Sequence, residues 1–250
     1  MTLSARNQAI VQHLLEARRS NQPWQAPFDE TPTADEAYTI QAAVGAALGW
    51  FPEGPKAWKV GGKGQQISAA ALPEVLQSPA AWPATGSDEV VIEAEIALRL
   101  ARTPANAQDV ATCIGTVCVS IEIVGTRLVG GLTAPSAWKL VDQGLHAGLV
   151  IGAELPYAPF AAFTLDDWAR QSCKLLVNGQ LVTEKRGTHP TGDPLSGLPG
   201  LVEHAAKYTG GLRAGDLITT GAWIVEKVRP GNKVEVQFEG FGSAQVQLAN

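Results

Sequence analysis

The spacing of apolar residues changes along the chain. In "SARNQAIVQHLLEARR", Ile10, Leu14 and Leu15 recur at helical intervals, and Ser4 is placed to cap the helix. A proline-rich connector, "NQPWQAPFDETPT", leads into "TADEAYTIQAAVGAAL". There Thr33 and Glu36 have the spacing of a capping box, and Gly49 and Pro52 end the helix. From "AWKVGG" onward the pattern shortens. "EVVIEAEIALRL", "CVSIEIVGTRL", "HAGLVIGAE", "SCKLLVNGQLV", "DLITTGAWIV" and "KVEVQFEGFGSAQVQLA" are alternating or β-branched runs bounded by turn residues. Asn-Gly within "VNGQLV" predicts a tight hairpin. One late helix, "PLSGLPGLVEHAAKY", puts Leu198, Leu201 and Ala205 on one side. Helices come first and strands follow without βαβ alternation, which predicts an α+β fold. A helical segment over residues 1–55 is expected to pack on a β unit over residues 56–250, as one continuous globular body.

A 250-residue chain with 45% hydrophobic and 17% charged residues can bury a large core, and its composition is that of a folded protein. The formal charge of -5, without a basic cluster, offers no grip on a phosphate backbone and excludes nucleic acid as the expected partner. Cys113, Cys118 and Cys173 lack metal-knuckle spacing and read as small buried side chains of a reduced compartment. The N-terminus has no apolar signal core, and no run approaches the roughly 18 apolar residues of a membrane span. A cytoplasmic protein without membrane contact is expected.

Within this apolar texture, two carboxylates on one strand stand out. Glu93 and Glu95 are two apart in "VIEAEIALRL", so a strand projects them from the same face. A wet edge strand is the ordinary explanation for such a pair. Glu122, in the otherwise apolar "VCVSIEIVGTRL", changes the balance. Three buried carboxylates repel one another and need compensation. A hard dication, Mg2+ or Mn2+, supplies it and leaves positions open to substrate; Arg99 or Arg127 could instead supply it as ion pairs.

Further candidates are weaker individually. Lys59 sits between Trp58 and Val60 just before a glycine pair, either as a snorkelling surface lysine or as a cation held near an anionic substrate. Lys63 lies in the following loop. "AWKLVDQGLHAG" supplies Asp142 and His146, and "GTHPTGDPL" places His189 and Asp193 in a turn-rich loop. "LITTGAW" ends a strand with Thr219, Thr220 and Gly221, suited to cradling a carboxylate.

The order of these motifs resembles the fumarylacetoacetate hydrolase superfamily, in its 2-oxopent-4-enoate hydratase and 4-oxalocrotonate decarboxylase branch. The motifs are "DEAYTIQ", "WKVGGKGQQ", "EAEIALRL", "EIVGTR", "GDPLSGLPGLVEHA", "LRAGDLITTGAW" and "EGFGSAQVQL", nearly end to end. The resemblance implies a curled mixed β-sheet roll with the N-terminal helices packed outside, in a homodimer or larger homo-oligomer. It implies a metal held by Glu93, Glu95 and Glu122, with Lys59 beside it as the catalytic cation. The family's Asp-Asn-Ala-Ser-Ser segment stands here as "DQGLHAG", keeping Asp142 but placing His146 where a serine is expected. Gly125 replaces a common Asp, and Glu74 is the nearest acid to assist Lys59.

The activity implied is divalent-metal-dependent hydration of a small 2-hydroxy-2,4-dienoate (2-oxo-4-enoate) to a 4-hydroxy-2-oxo acid, a lyase reaction of aromatic meta-cleavage catabolism. Lys59, Asp142, Thr220 and Gly221 would bind the substrate, and Lys59 and His146 would act in catalysis. The same site could decarboxylate a vinylogous 2-oxo acid of the 4-oxalocrotonate type. Carbon–carbon hydrolysis of an acylpyruvate ranks third, since it needs a His/Glu pair and His13 falls on a surface helix. A non-catalytic partner subunit is the remaining alternative, against which the retained charges argue.

Overall fold

The computed structural model describes residues 3–63, 66–83 and 88–250, the side chains of residues 63 and 66 excepted. Gly64 and Gln65, the centre of the "GGKGQQ" stretch, lie outside the described residues, as does the Lys63 side chain. Helices α1 (Ala5–Ser20) and α2 (Ala34–Ala47) precede strands β1 (Ala57–Lys63), β2 (Gln66–Ala71), β3 (Val75–Gln77) and β4 (Ala80–Trp82). A long antiparallel pair follows, β5 (Val90–Leu100) and β6 (Ile114–Val124), and then short helix α3 (Ser136–Val141). Next come β7 (His146–Ile151), β8 (Leu155–Pro156), α4 (Leu165–Arg170), β9 (Ser172–Val177) and β10 (Gln180–Arg186). The chain ends with α5 (Leu198–Tyr208), β11 (Leu217–Thr219), β12 (Ile224–Val228), β13 (Lys233–Phe238) and β14 (Gly242–Leu248).

Local chemistry sets the element ends. Ser4 accepts from the Asn7 amide at the start of α1, and Thr33 and Glu36 form the reciprocal capping box of α2. Gly49 takes φ 66° just past α2, the left-handed stop that a glycine allows. The β9–β10 hairpin turns on Asn178 and Gly179, both at positive φ, as a two-residue turn matching strand twist requires. Short elements, α3, α4, β2, β3, β4 and β8 among them, escape sequence periodicity because each is six residues or fewer.

Among the described residues the strands form two sheets. The larger runs β2-β1-β11-β5-β6-β7-β3, with β12 also on β5 and β8 also on β6; the smaller runs β10-β9-β13-β14-β4. Most pairs are antiparallel, but β1–β11, β3–β7 and β4–β14 are parallel, so the roll is mixed. On β5, Val90, Ile92, Ala94, Ile96, Leu98 and Leu100 enter the main core with Trp82, Trp223, Val234 and Phe238. The alternate face of β5 carries Glu93, Glu95 and Ala97, and Ala97 packs with Ala57, Cys118, Leu149, Ile151 and Leu217 in a separate small cluster. Helices α1 and α2 pack with Leu128, Trp138 and Val141 in a cluster of their own. Among the described residues no helix is long and apolar enough to cross a membrane. All three cysteines are buried and unpaired.

Candidate metal centre

Strand register assembles the acids. Glu93 pairs with Glu122 across β5 and β6, and Glu95 pairs with Ser120 one step further along. Since directly paired residues share a face, the carboxylates converge on the side opposite the main core. One oxygen from each of Glu93, Glu95 and Glu122 lies within 4.8 Å of the others. The sheet then brings in the lysine. Lys59 on β1 pairs with Thr219 on β11, which pairs with Ala97 on β5. Trp58 and Val60 go into the main core, so alternation sends Lys59 to the acids.

Lys59 Nζ donates to Glu122 Oε1 at 2.5 Å and to the Gly144 carbonyl at 3.0 Å. His146 Nδ1 lies 3.0 Å from the same Glu122 oxygen. Thr219 Oγ1 donates to Glu95 Oε2, and the Gly221 amide donates to that oxygen at 3.0 Å. Because the Thr219 proton is committed there, Ser120 Oγ, 3.0 Å away, donates to Thr219.

The electrostatics is lopsided. Burial pushes the Glu95 carboxyl up to about 8, with Glu122 and Glu93 adding like-charge repulsion. Burial raises Glu93 as well, partly offset by Lys59. Glu122 goes the other way: burial opposes its ionisation, but Lys59 and His146 hold it below the usual carboxylate range. Burial also works against the Lys59 ammonium, yet the three carboxylates outweigh it and raise its pKa. His146, driven down by burial, is neutral at pH 7. Its Nδ1–H therefore donates to Glu122, and Nε2 keeps its lone pair.

The donor set fits a divalent cation. Among the described residues, three carboxylates ionised together against the Lys59 ammonium would carry a formal charge of two negatives, which a dication cancels; burial and this like-charge repulsion are what raise Glu95. Glu122 Oε2 is buried without a hydrogen-bond partner among the described residues, as an oxygen reserved for a cation would be. Neither arginine considered as a substitute approaches the trio. Arg99 is bound to Glu154, and Arg127 Nε donates to Asp142 Oδ1 at 2.5 Å. Hard oxygen donors suit Mg2+ or Mn2+.

The other residues singled out by sequence have these positions. Asp142 is buried and accepts from the Arg127 amide at 2.8 Å and from Thr126 Oγ1 at 3.1 Å, besides the guanidinium. Thr220 Oγ1 donates to the Ile96 carbonyl at 2.8 Å, and Gly221 is spent on Glu95. The Asp142 carboxylate, the Thr220 hydroxyl and the Gly221 amide thus have protein partners. His189 Nε2 donates to the Thr220 carbonyl at 2.8 Å, bracing the segment that carries Gly221. Glu74 is exposed and lines a cavity of about 320 Å³ with Arg18, Trp50, Gln143 and His146. His13 is exposed on α1 and stacks on Trp24 at 4.6 Å. Ser120 and Gly144 carry no side-chain signal within their segments that marks them as site residues; strand register and the path of one loop bring them in.

Residues 50–249 match the family model described as fumarylacetoacetate (FAA) hydrolase C-terminal. The fold is similar to that of 4-oxalocrotonate decarboxylase from Pseudomonas putida G7, complexed with magnesium and adipate. The TM-score is 0.80 at 19% identity over 98% of each chain. A fumarylpyruvate hydrolase from Pseudomonas aeruginosa, in complex with Mn2+ and pyruvate, aligns at TM-score 0.54 and 14% identity over 77% of this chain and 88% of that one. A 5-carboxymethyl-2-hydroxymuconate delta-isomerase from Mycobacterium smegmatis aligns at TM-score 0.52 and 19% identity over 78% and 76%. With four-fifths of its length matched and a curled mixed α+β roll, the chain belongs to the fumarylacetoacetate hydrolase family.

Proposed function

We propose that the protein is a divalent-metal-dependent lyase that hydrates a small 2-hydroxy-2,4-dienoate to a 4-hydroxy-2-oxo acid. The observation that carries this reading is the close-set trio of Glu93, Glu95 and Glu122, the last two buried and Glu93 partly so, with the Lys59 ammonium beside it. These three residues would hold the ion, which supplies Lewis acidity toward enolate charge. Lys59 offers a fixed positive charge: two of its N–H directions are taken by Glu122 and Gly144, and the third, which has no partner among the described residues, would meet a substrate oxygen. His146, anchored through Nδ1, offers the Nε2 lone pair to a water or substrate hydroxyl. Thr219 and Gly221 fix the Glu95 carboxylate, while Asp142 and Thr220 hold the surrounding backbone, so these residues position the site rather than react. A homodimer or larger assembly in the cytoplasm belongs to the same proposal.

Decarboxylation of a vinylogous 2-oxo acid is the second reading, favoured by the end-to-end fold likeness to a decarboxylase. Both reactions build enolate charge at the same atoms. One experiment separates them. The purified protein is mixed with short 2-hydroxydienoates, or with a dienedioate, and Mg2+, and the conjugated ultraviolet band is followed. Metal-dependent loss with a product heavier by one water supports hydration, and loss of carbon dioxide supports decarboxylation. No metal binding and no turnover on any of these acids would leave the non-catalytic partner role.

A further inference from the structure

Between α3 and β7 the backbone passes through three consecutive left-handed residues: Gln143 at φ 55°, Gly144 at φ 62° and Leu145 at φ 62°. Glycine adopts this region freely. For glutamine and leucine it brings Cβ against the next carbonyl, so it persists only where the surroundings over-determine it. Here they do. Asp142, just before the turn, is clamped by Arg127 through its carboxylate and its carbonyl. Gln143 Nε2 donates to the Ala71 carbonyl at 2.7 Å, away from solvent. The Leu145 amide donates to Asp142 O at 2.8 Å, and Leu145 O accepts from the Gly125 amide at 2.8 Å.

The turn directs one carbonyl inward. Gly144 O receives the Lys59 ammonium at 3.0 Å, while Glu122 Oε1 receives it at 2.5 Å. A Cβ at Gly144 would lie 3.2 Å from Lys59 Cδ, so the turn also packs along the lysine stem. With two tetrahedral directions occupied, the third N–H direction of the ammonium is set. Relaxing the turn to negative φ would swing the Gly144 carbonyl away and release that direction.

We infer that the left-handed turn Gln143–Gly144–Leu145 is the device that positions the Lys59 ammonium, with Gln143 as its positioning residue through the Ala71 bond. The inference rests on Lys59 being the cation of the proposed site. Gln143 also lines two cavities, one with Tyr38 and Trp58 and one with Arg18 and His146, so ligand contact is the competing role.

Two substitutions separate the roles. Gln143→Met keeps the bulk but loses the donor and resists the left-handed region; Gln143→Asn loses reach but tolerates that region. Positioning requires kcat to fall roughly 10- to 100-fold in Gln143→Met, with KM and Mg2+ affinity within about threefold of wild type. Gln143→Asn should keep at least about a third of the rate, since its backbone preference holds the turn without the anchor. Equal losses in both variants with raised KM would overturn the inference in favour of ligand contact. Equal retention per folded molecule in both would overturn it in favour of a purely structural role.

A readout independent of turnover uses protein labelled with 13C at glycine carbonyls. The Gly144 resonance should move in Lys59→Met, which removes its donor. It should take that same position in Gln143→Met and stay at the wild-type position in Gln143→Asn, with or without Mg2+. A wild-type resonance in Gln143→Met would overturn the inference. If the resonance follows the expected pattern but no dienoate is consumed, the positioning device stands and the proposed reaction falls.

Discussion

At the residue scale, the centre combines side chains whose preferences conflict without a dication. Glu95 is buried and pushed up to about 8, Glu93 is raised, and Glu122 Oε2 has no hydrogen-bond partner among the described residues. Replacing Glu95 with Gln removes a donor anion while keeping shape and the bond from Thr219. Outer-shell changes at metal sites already cost 10- to 100-fold in affinity, so losing a direct ligand should weaken Mg2+ binding by more than roughly 100-fold. Turnover should disappear while the circular dichroism spectrum stays native. Isothermal titration with Mg2+ checks this, and near-normal affinity would remove Glu95 from the ligand set. Lys59→Ala makes the opposite demand. Because Lys59 touches Glu122 without being a ligand, metal affinity should change little, while kcat falls roughly 100- to 1000-fold through lost charge stabilisation. A collapse of affinity would mean that Lys59 mainly holds Glu122 in place.

At the scale of elements, the two sheets meet where the small residue Gly148 on β7 faces Trp82 on β4. A Cβ at Gly148 would sit 2.2 Å from the Trp82 ring, whose rigid body cannot yield. Gly148→Ala should therefore cost about 1–3 kcal/mol in a urea titration, and pairing it with Trp82→Leu should recover part of the loss. On α5, His204 packs against Tyr38, Trp58 and Tyr208, and burial, with some help from Lys207, pushes its pKa down to about 4. A depressed histidine stabilises the fold above its unfolded value of about 6.5, and that stability is lost as pH falls toward 4. Between pH 7.5 and 5 the loss should reach on the order of 2 kcal/mol relative to His204→Phe, which lacks the titration. Parallel pH profiles for the two proteins would show that His204 ionises freely in the folded state.

These elements also show what the sequence could and could not reveal. Capping boxes, the Asn-Gly turn and strand alternation are local, so α2, the β9–β10 hairpin and the two faces of β5 were legible from spacing alone. Alternation placed Glu93 and Glu95 on one face, but only the β5–β6 register shows that Glu122 lies opposite Glu93. The Asp142 segment was harder. Its motif stood out, yet Arg127, fifteen positions earlier, engages the Asp142 carboxylate, and the neighbouring Gly144 reaches Lys59 with a backbone atom that no side-chain pattern announces.

At the scale of the whole molecule, the centre exists only once the roll has closed. Lys59 and Gly144 are 85 positions apart, Thr219 and Glu95 are 124 apart, and the acids come from two strands joined by a long connection. An unfolded chain has no such site, so metal binding acts on the folded state and raises apparent stability by mass action. At a Mg2+ concentration about 100 times Kd the gain is about 2.7 kcal/mol, which for a chain of this size raises Tm by roughly 5–10 °C. EDTA should reverse the shift. Glu95→Gln should abolish it, and the metal-free variant should melt at or slightly above metal-free wild type, because a repelled buried carboxylate has been replaced by a neutral amide. Thermal scans of both proteins with and without Mg2+ supply the four numbers needed. An equal Mg2+ shift in the variant would place the ion elsewhere on the surface, and a metal-free variant that melts well below wild type would mean that the carboxylates are held by the protein alone, without a dication to gather them.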